Sequence, residues 1–133
     1  MEVVTIKPLS EAQHHFLTQY INLMEAVEEG LELVDFNYQE GYYESGDNLL
    51  KELVGVLVPY HSSNMTMRSI FAHDETVLTE LDNFQKVVDK AFQIESCILN
   101  EKEKADFIHN TFLPTYKKWK KQVYHHLEMY SDD

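Results

Sequence analysis

The sequence predicts an all-α fold: one domain, residues 1–133, built as an antiparallel up-down-up-down four-helix bundle. Three observations predict it. Four stretches repeat apolar residues at spacings of three and four, while no stretch of comparable length alternates with period two. Glycine (4) and proline (3) are scarce, so turns are few and elements long. Residues with helix-capping chemistry stand just ahead of several apolar stretches. Short turns between long helices make sequence neighbours antiparallel, although a non-bundle helical packing would satisfy the same periodicity.

The first run begins at "SEAQ". Ser10 can cap a helix while Gln13 reaches back from three positions on, a capping box. Apolar residues then recur at Leu17, Tyr20, Ile21, Met24, Val27, Leu31, Val34 and Tyr38. The stripe continues through Tyr42 and carries helix one from 11 to 45. It crosses Gly30 and Gly41, each costing a helix about 1 kcal/mol relative to alanine, so a bend is compatible with either. The second run holds Leu49, Leu50, Leu53, Val54, Leu57, Tyr60 and His61, and continues weakly through Met65, Arg68 and Ile70. Pro59 lies inside it and lacks a backbone N–H, which predicts a kink.

Asp74 is the next cap, opening a third run over 75–99 with Val77, Leu81, Phe84, Val88, Ala91, Phe92, Ile94 and Ile98. Asn100 caps the fourth, with Glu103 as its box partner. Ala105, Ile108, Phe112, Tyr116, Trp119, Val123, Leu127 and Tyr130 form its stripe, and Pro114 predicts a second kink. Val3, Val4 and Ile6 read as a short extended arm. No internal repeat appears at a fixed period.

The stretch "DFNYQEGYYESGD" is the most unusual in composition. "ESGDNLL" reads as the turn between helices one and two: Gly46 suits the left-handed residue that ends a helix, and Asp47 the cap of the next. Phe36, Tyr38, Tyr42 and Tyr43 then lie on the last turns of helix one. "GYYESGDNLLKELVGVL" resembles one helical hairpin of a tetratricopeptide repeat over residues 36–58. That resemblance implies a hairpin, and not an array, because an array needs at least three units and the rest of the chain supplies none. Helix one would be about 52 Å long and helix three about 37 Å at 1.5 Å per residue. The aromatic tip either overhangs as a contact surface, which aromatic side chains favour, or folds in to cap the core.

The net charge is −12. A field of that sign disfavours nucleic acid and anionic membrane and attracts basic partners. Cys97 is the one cysteine, which excludes an intrachain disulfide and fits a reducing cytoplasm. No segment reaches the roughly 18 apolar residues of a membrane span, and the start lacks the apolar core of a signal peptide. The expected location is cytoplasmic. There is no G-x-S-x-G, P-loop or G-x-G-x-x-G, and Cys97 has no histidine nearby in sequence.

Two functional readings follow. The first is a small acidic protein-interaction module, an adaptor, regulator or chaperone-like protein without catalysis or cofactor, binding another protein or a second copy through Phe36, Tyr38, Tyr42 and Tyr43. The second is a metal-binding protein or metal-dependent bundle enzyme. The bundle topology places His14, His61 and His126 at one end, where three imidazoles could bind a divalent transition metal, and Glu11 precedes His14 at the Glu-x-x-His spacing of bundle metal sites. The charge pattern is directional. From Pro8 to Leu50 there are nine acids and no lysine or arginine, whereas "KKWKK" at 117–121 is basic. Lys117, Lys118, Lys120 and Lys121 are expected to face Glu25, Glu28 and Glu29 where helix four meets helix one; an acidic ligand for these lysines is the alternative.

Overall fold

Ser10 opens the first helix through the reciprocal pair that its neighbours predict. Its hydroxyl accepts the Gln13 backbone N–H (3.1 Å), and the Gln13 side chain accepts the Ser10 N–H (3.0 Å), satisfying two donors that a helix start leaves without partners. The computed structural model describes residues 9–93 and 100–130, the side chains of Met129 and Tyr130 excepted. The arm expected around Val3–Ile6, and Ile94, Cys97 and Ile98 of the third run, lie outside these residues.

Helix α1 (Glu11–Gln39) buries Leu17, Tyr20, Ile21, Met24, Val27, Leu31, Val34 and Tyr38, the whole stripe read from spacing. It ends six residues earlier than expected. Gly41, at φ +84°, takes the left-handed conformation that glycine adopts without a Cβ penalty. The Tyr42 N–H returns to the Asn37 carbonyl (2.7 Å), and α2 (Tyr43–Val56) begins. The hairpin implied by the repeat resemblance is present, but its turn is Glu40–Tyr42. Gly46 and Asp47, expected as turn and cap, are helical residues of α2.

Pro59 ends a helix here and does not kink one. After Val56 the chain tightens into a 3-10 turn (Val58–Tyr60), because a proline without an N–H cannot extend the α ladder. Asn64 then caps α3 (Met65–Phe71), accepting the Met67 N–H at 3.0 Å. The second apolar run is therefore two helices. Asp74 caps α4 (Glu75–Phe92) by accepting from Thr76 and Val77.

Asn100 and Glu103 form a second capping box at the start of α5 (Glu101–Phe107), which runs through a π-helical segment (Ile108–Phe112) into α6 (Leu113–Tyr130). The Leu113 N–H bonds the Ile108 carbonyl, five residues back. Two adjacent pairs, Phe107–Ile108 and Phe112–Leu113, are buried. Five residues of α-helix would rotate the second pair about 140° from the first; the wider π turn keeps both toward the core. Pro114, which offers no N–H, follows immediately, so the irregularity expected there takes the form of a π bulge.

The described residues contain no strand, and no helix among them is long and apolar enough to cross a membrane. α1 packs on α2 and α6, and α4 packs on α6 and α2. A Cβ on Gly30 would meet the Leu53 side chain at 2.7 Å, so this glycine permits the close approach of α1 and α2. On the other flank, Trp119 Nε1–H donates to Tyr20 Oη (2.8 Å), and Tyr116 Oη–H donates to the Met24 carbonyl (2.8 Å). Burial pushes both tyrosine hydroxyls well above the usual phenol range, so they act as neutral hydrogen-bonding groups inside the core. The expected seam of charge forms in part: Lys120 pairs with Glu28 at 3.2 Å, Lys117 pairs with Glu32 in place of the expected partners, also at 3.2 Å, and Glu25 and Glu29 carry no ion pair among the described residues.

Candidate interaction surface

The four aromatics of the tip separate into two kinds. Tyr38, expected at the contact surface, is buried at 1% exposure. Its ring lies against Gly46, where a Cβ would sit 2.7 Å from Tyr38 Cε1, and its hydroxyl donates to Asp47 Oδ1 (2.5 Å). Asp47 Oδ2 in turn accepts from Lys104 of α5 at 3.1 Å. Tyr38 thus joins α1, α2 and α5 and is structural. Tyr43 is half-buried and stacks beside it, ring centres 6.3 Å apart. Phe36 and Tyr42 remain in solvent at 53% and 58%.

Leu33, at 51% exposure, joins them and was not among the expected residues. The sequence does carry its signal: Leu33 lies off the Leu31–Val34–Tyr38 stripe and three positions before Phe36, hence on the same outer face. Glu25, Glu29, Leu33, Phe36 and Glu40 follow one another at spacings of four, four, three and four, which makes a single outward row.

The acids around this ridge also divide. Four have partners: Glu28 pairs with Lys120, exposed Glu32 with Lys117, and Asp47 with Lys104, while Asp35 bonds His109 at 3.0 Å. Glu25, Glu29, Glu40 and Glu44 carry no ion pair among the described residues. The ridge therefore offers two or three apolar side chains inside an uncompensated negative field.

The three histidines of the metal reading do not converge. His14 is half-buried and lines an open groove with Glu11, His15 and Thr18. His61 is exposed on the loop that follows Pro59, where its Nδ1 accepts the Ser63 N–H (2.9 Å). His126 is buried, and its Nε2–H donates to the Ile70 carbonyl (3.0 Å) in the last turn of α3. Its ring stands edge-on to Phe71, with centres 4.5 Å apart, and 5.5 Å from the ring of His73. Burial, helped by the neighbouring His73 and His125 and opposed by the Ile70 carbonyl and Asp74, lowers its pKa to about 4. Two physical facts separate the trio: the proline takes His61 off a helix face, and a carbonyl already occupies His126 Nε2. Among the described residues no group of three or more His, Cys, Asp or Glu side chains could hold a metal ion.

A cleft between α4 and α6, floored by Phe84 and Trp119 and rimmed by Glu80, Asn83 and Lys118, has a volume of about 100 Å³. Small-molecule sites run to roughly 300–1,000 Å³, so this cleft is too small for a metabolite. Fold and surface together define an all-helical domain with an exposed acidic-apolar ridge. Residues 15–122 match the family described as Domain of unknown function (DUF8042), and the chain belongs to that family. No curated protein and no solved structure matches. The family match begins in the first turns of α1 and ends within α6, so it contains the whole ridge.

Proposed function

We propose that this protein is an interaction module, an adaptor or regulator, that captures a basic amphipathic segment of another protein on the outer face of α1. The observation that carries this reading is the exposure of Leu33, Phe36 and Tyr42 among four unpaired glutamates. A helix with leucines at i, i+3 and i+7 and lysines or arginines beside them would cover the apolar row. Its cations would meet Glu25, Glu29, Glu40 and Glu44, and complementary charge would speed encounter. The same field disfavours nucleic acid and anionic lipid. The single cysteine fits the reducing cytoplasm as the place of action. We read the scaffold as an up-down-up-down four-helix bundle of α1, α2, α4 and α5–α6, with α3 inserted; the pairwise packing of α1 with α2 and α6, and of α4 with α2 and α6, supports it.

The test uses a synthetic lysine–leucine amphipathic helix, with neutral and acidic counterparts of equal hydrophobicity. The basic peptide should bind best, and its affinity should fall as salt rises. Leu33→Ser with Phe36→Ser should weaken it at least about tenfold, or about 1.4 kcal/mol, with helicity unchanged. Equal binding of all three peptides, or an unaffected double variant, would remove the proposal.

A further inference from the structure

We infer that the ridge selects its partner by the order of charge along it: a helix with cations beyond both ends of its leucine row is preferred to one with the same cations along the flank of that row. This rests on the reading of the ridge as the capture surface for a basic helix, and adds the partner's charge order to it.

Glu25, Glu29, Leu33, Phe36 and Glu40 fall within about 80° of one another round the α1 axis at 100° per residue, and all five are exposed. A rod laid on this face meets them in order: two acids, two apolar side chains, one acid. Glu44 follows in the first turn of α2. Glu29 and Glu40 stand eleven residues apart, about 16 Å along the helix. That exceeds the Debye length of about 10 Å at 0.1 M salt, so a cation at one end does not serve the other.

The stretch between them also holds acids, but each has a partner. Glu32 pairs with Lys117 at 3.2 Å, and Asp35 bonds His109 at 3.0 Å. A partner lysine laid along this flank meets the Lys117 ammonium, and the like charge discriminates against that arrangement. The other flank is α2. Leu53 lies against Gly30, which sets Lys51 and Glu52, one charge of each sign, level with the Glu29 end. The ridge acids that carry no ion pair among the described residues, Glu25, Glu29, Glu40 and Glu44, thus all stand beyond the Leu33–Phe36 pair.

A leucine row at i, i+3 and i+7 spans about 10 Å, inside the window between Glu29 and Glu40. Lysines at i−4 and i+11 stay on the leucine face at 100° per residue. They are fifteen residues apart, the separation of Glu25 and Glu40. The crossing is then shallow, near the roughly 20° class, because at about 50° the ends of the row leave the ridge.

Three stapled peptides of one composition and equal helicity test this. The same leucines carry lysines at both ends, at one end only, or along the flank, and binding to the full chain is followed by fluorescence anisotropy. The two-ended peptide should bind at least about tenfold tighter than the flank isomer, with the one-ended peptide between. Glu29→Lys and Glu40→Lys should each erase that advantage. Changing one peptide lysine to glutamate should restore it, at opposite peptide ends for the two variants. Lys117→Gln should strengthen the flank isomer alone. Equal affinity of all three peptides, each above a neutral helix, overturns the charge order and leaves capture standing. Binding no tighter than the neutral helix by any of them removes the capture reading, and this inference with it.

Discussion

The two ends of α1 present opposite chemistry to solvent. Its start, with the α2–α3 corner, exposes Val56, Val58 and Met65 beside a compensated Arg68–Asp82 pair, whereas its end places Leu33 and Phe36 among glutamates that carry no ion pair among the described residues. Both expose apolar side chains, but only the far end sets them among acids without an ion pair among the described residues. Contiguous apolar exposure marks a contact surface, and the local charge decides what can approach it. The interior behind each end differs too. The hairpin is closed by an ionic hydrogen-bond chain, Tyr38–Asp47–Lys104, and the other end by a neutral imidazole under α3.

The largest expected effect lies at the imidazole. The pKa of His126 is lowered from 6.5 to about 4, so the unfolded chain takes up this proton first as pH falls. Its share of stability is complete above pH 6.5 and is lost between pH 6.5 and about 4, an amount of about 3 kcal/mol at 1.36 kcal/mol per unit. Denaturant titrations across that window should show the loss, and His126→Gln should flatten it. Hydrogen exchange sharpens the comparison: acid should release amides of α3 before those of the α1–α2 hairpin. A pH slope retained in His126→Gln would break the assignment.

The next effect contrasts two rings on one helix. Tyr38→Phe leaves a partly buried carboxylate without its hydroxyl donor and should destabilise by about 2 kcal/mol, in the range for bonds to charged groups. Phe36→Ser, two residues away but in solvent, should stay within about 0.5 kcal/mol while weakening peptide capture. Equal destabilisation by both would mean that Phe36 belongs to the core. The smallest effect belongs to the seam. Lys117 and Glu32 are both largely exposed, so Lys117→Gln should shift stability by less than about 0.5 kcal/mol, measurable by the same titrations.

Local rules made much of this fold legible. The α1 stripe and the caps at Ser10, Asp74 and Asn100 follow from spacing and from side-chain acceptors within three residues of a helix start. The position of the first turn did not follow, because Gly41 and Gly46 both qualify for a left-handed conformation. The choice is tertiary: Tyr38 needs the space over Gly46, which leaves Gly41 to turn the chain. Pro59 and Pro114 look alike in sequence, yet one ends a helix and the other follows a π bulge inside one; what lies beyond each, a polar "HSSN" or another apolar stripe, separates them. The expected histidine cluster kept His61 on a kinked helix; the chain instead leaves the helix ahead of Pro59, and the Ile70 carbonyl takes His126 Nε2, so the cluster has no shared geometry. Of the tip, spacing leaves open whether the rings overhang or cap the core, and the structure divides them: Phe36 and Tyr42 are exposed, while Tyr38, at stripe spacing, belongs to the core.

The π segment makes the spacing between α5 and α6 a matter of phase. Removing one residue from Ile108–Phe112 would let the helix relax to its ordinary pitch with four steps between the buried pairs, about 40° past a full turn, so Tyr116, Trp119 and Val123 would keep facing Tyr20 and Met24. The same deletion within the regular turns of α6, ahead of Tyr116, would turn that stripe by about 100°. This short segment therefore acts as the molecule's indexing gear, the one place in the α5–α6 rod where a lost residue leaves the aromatic core seated.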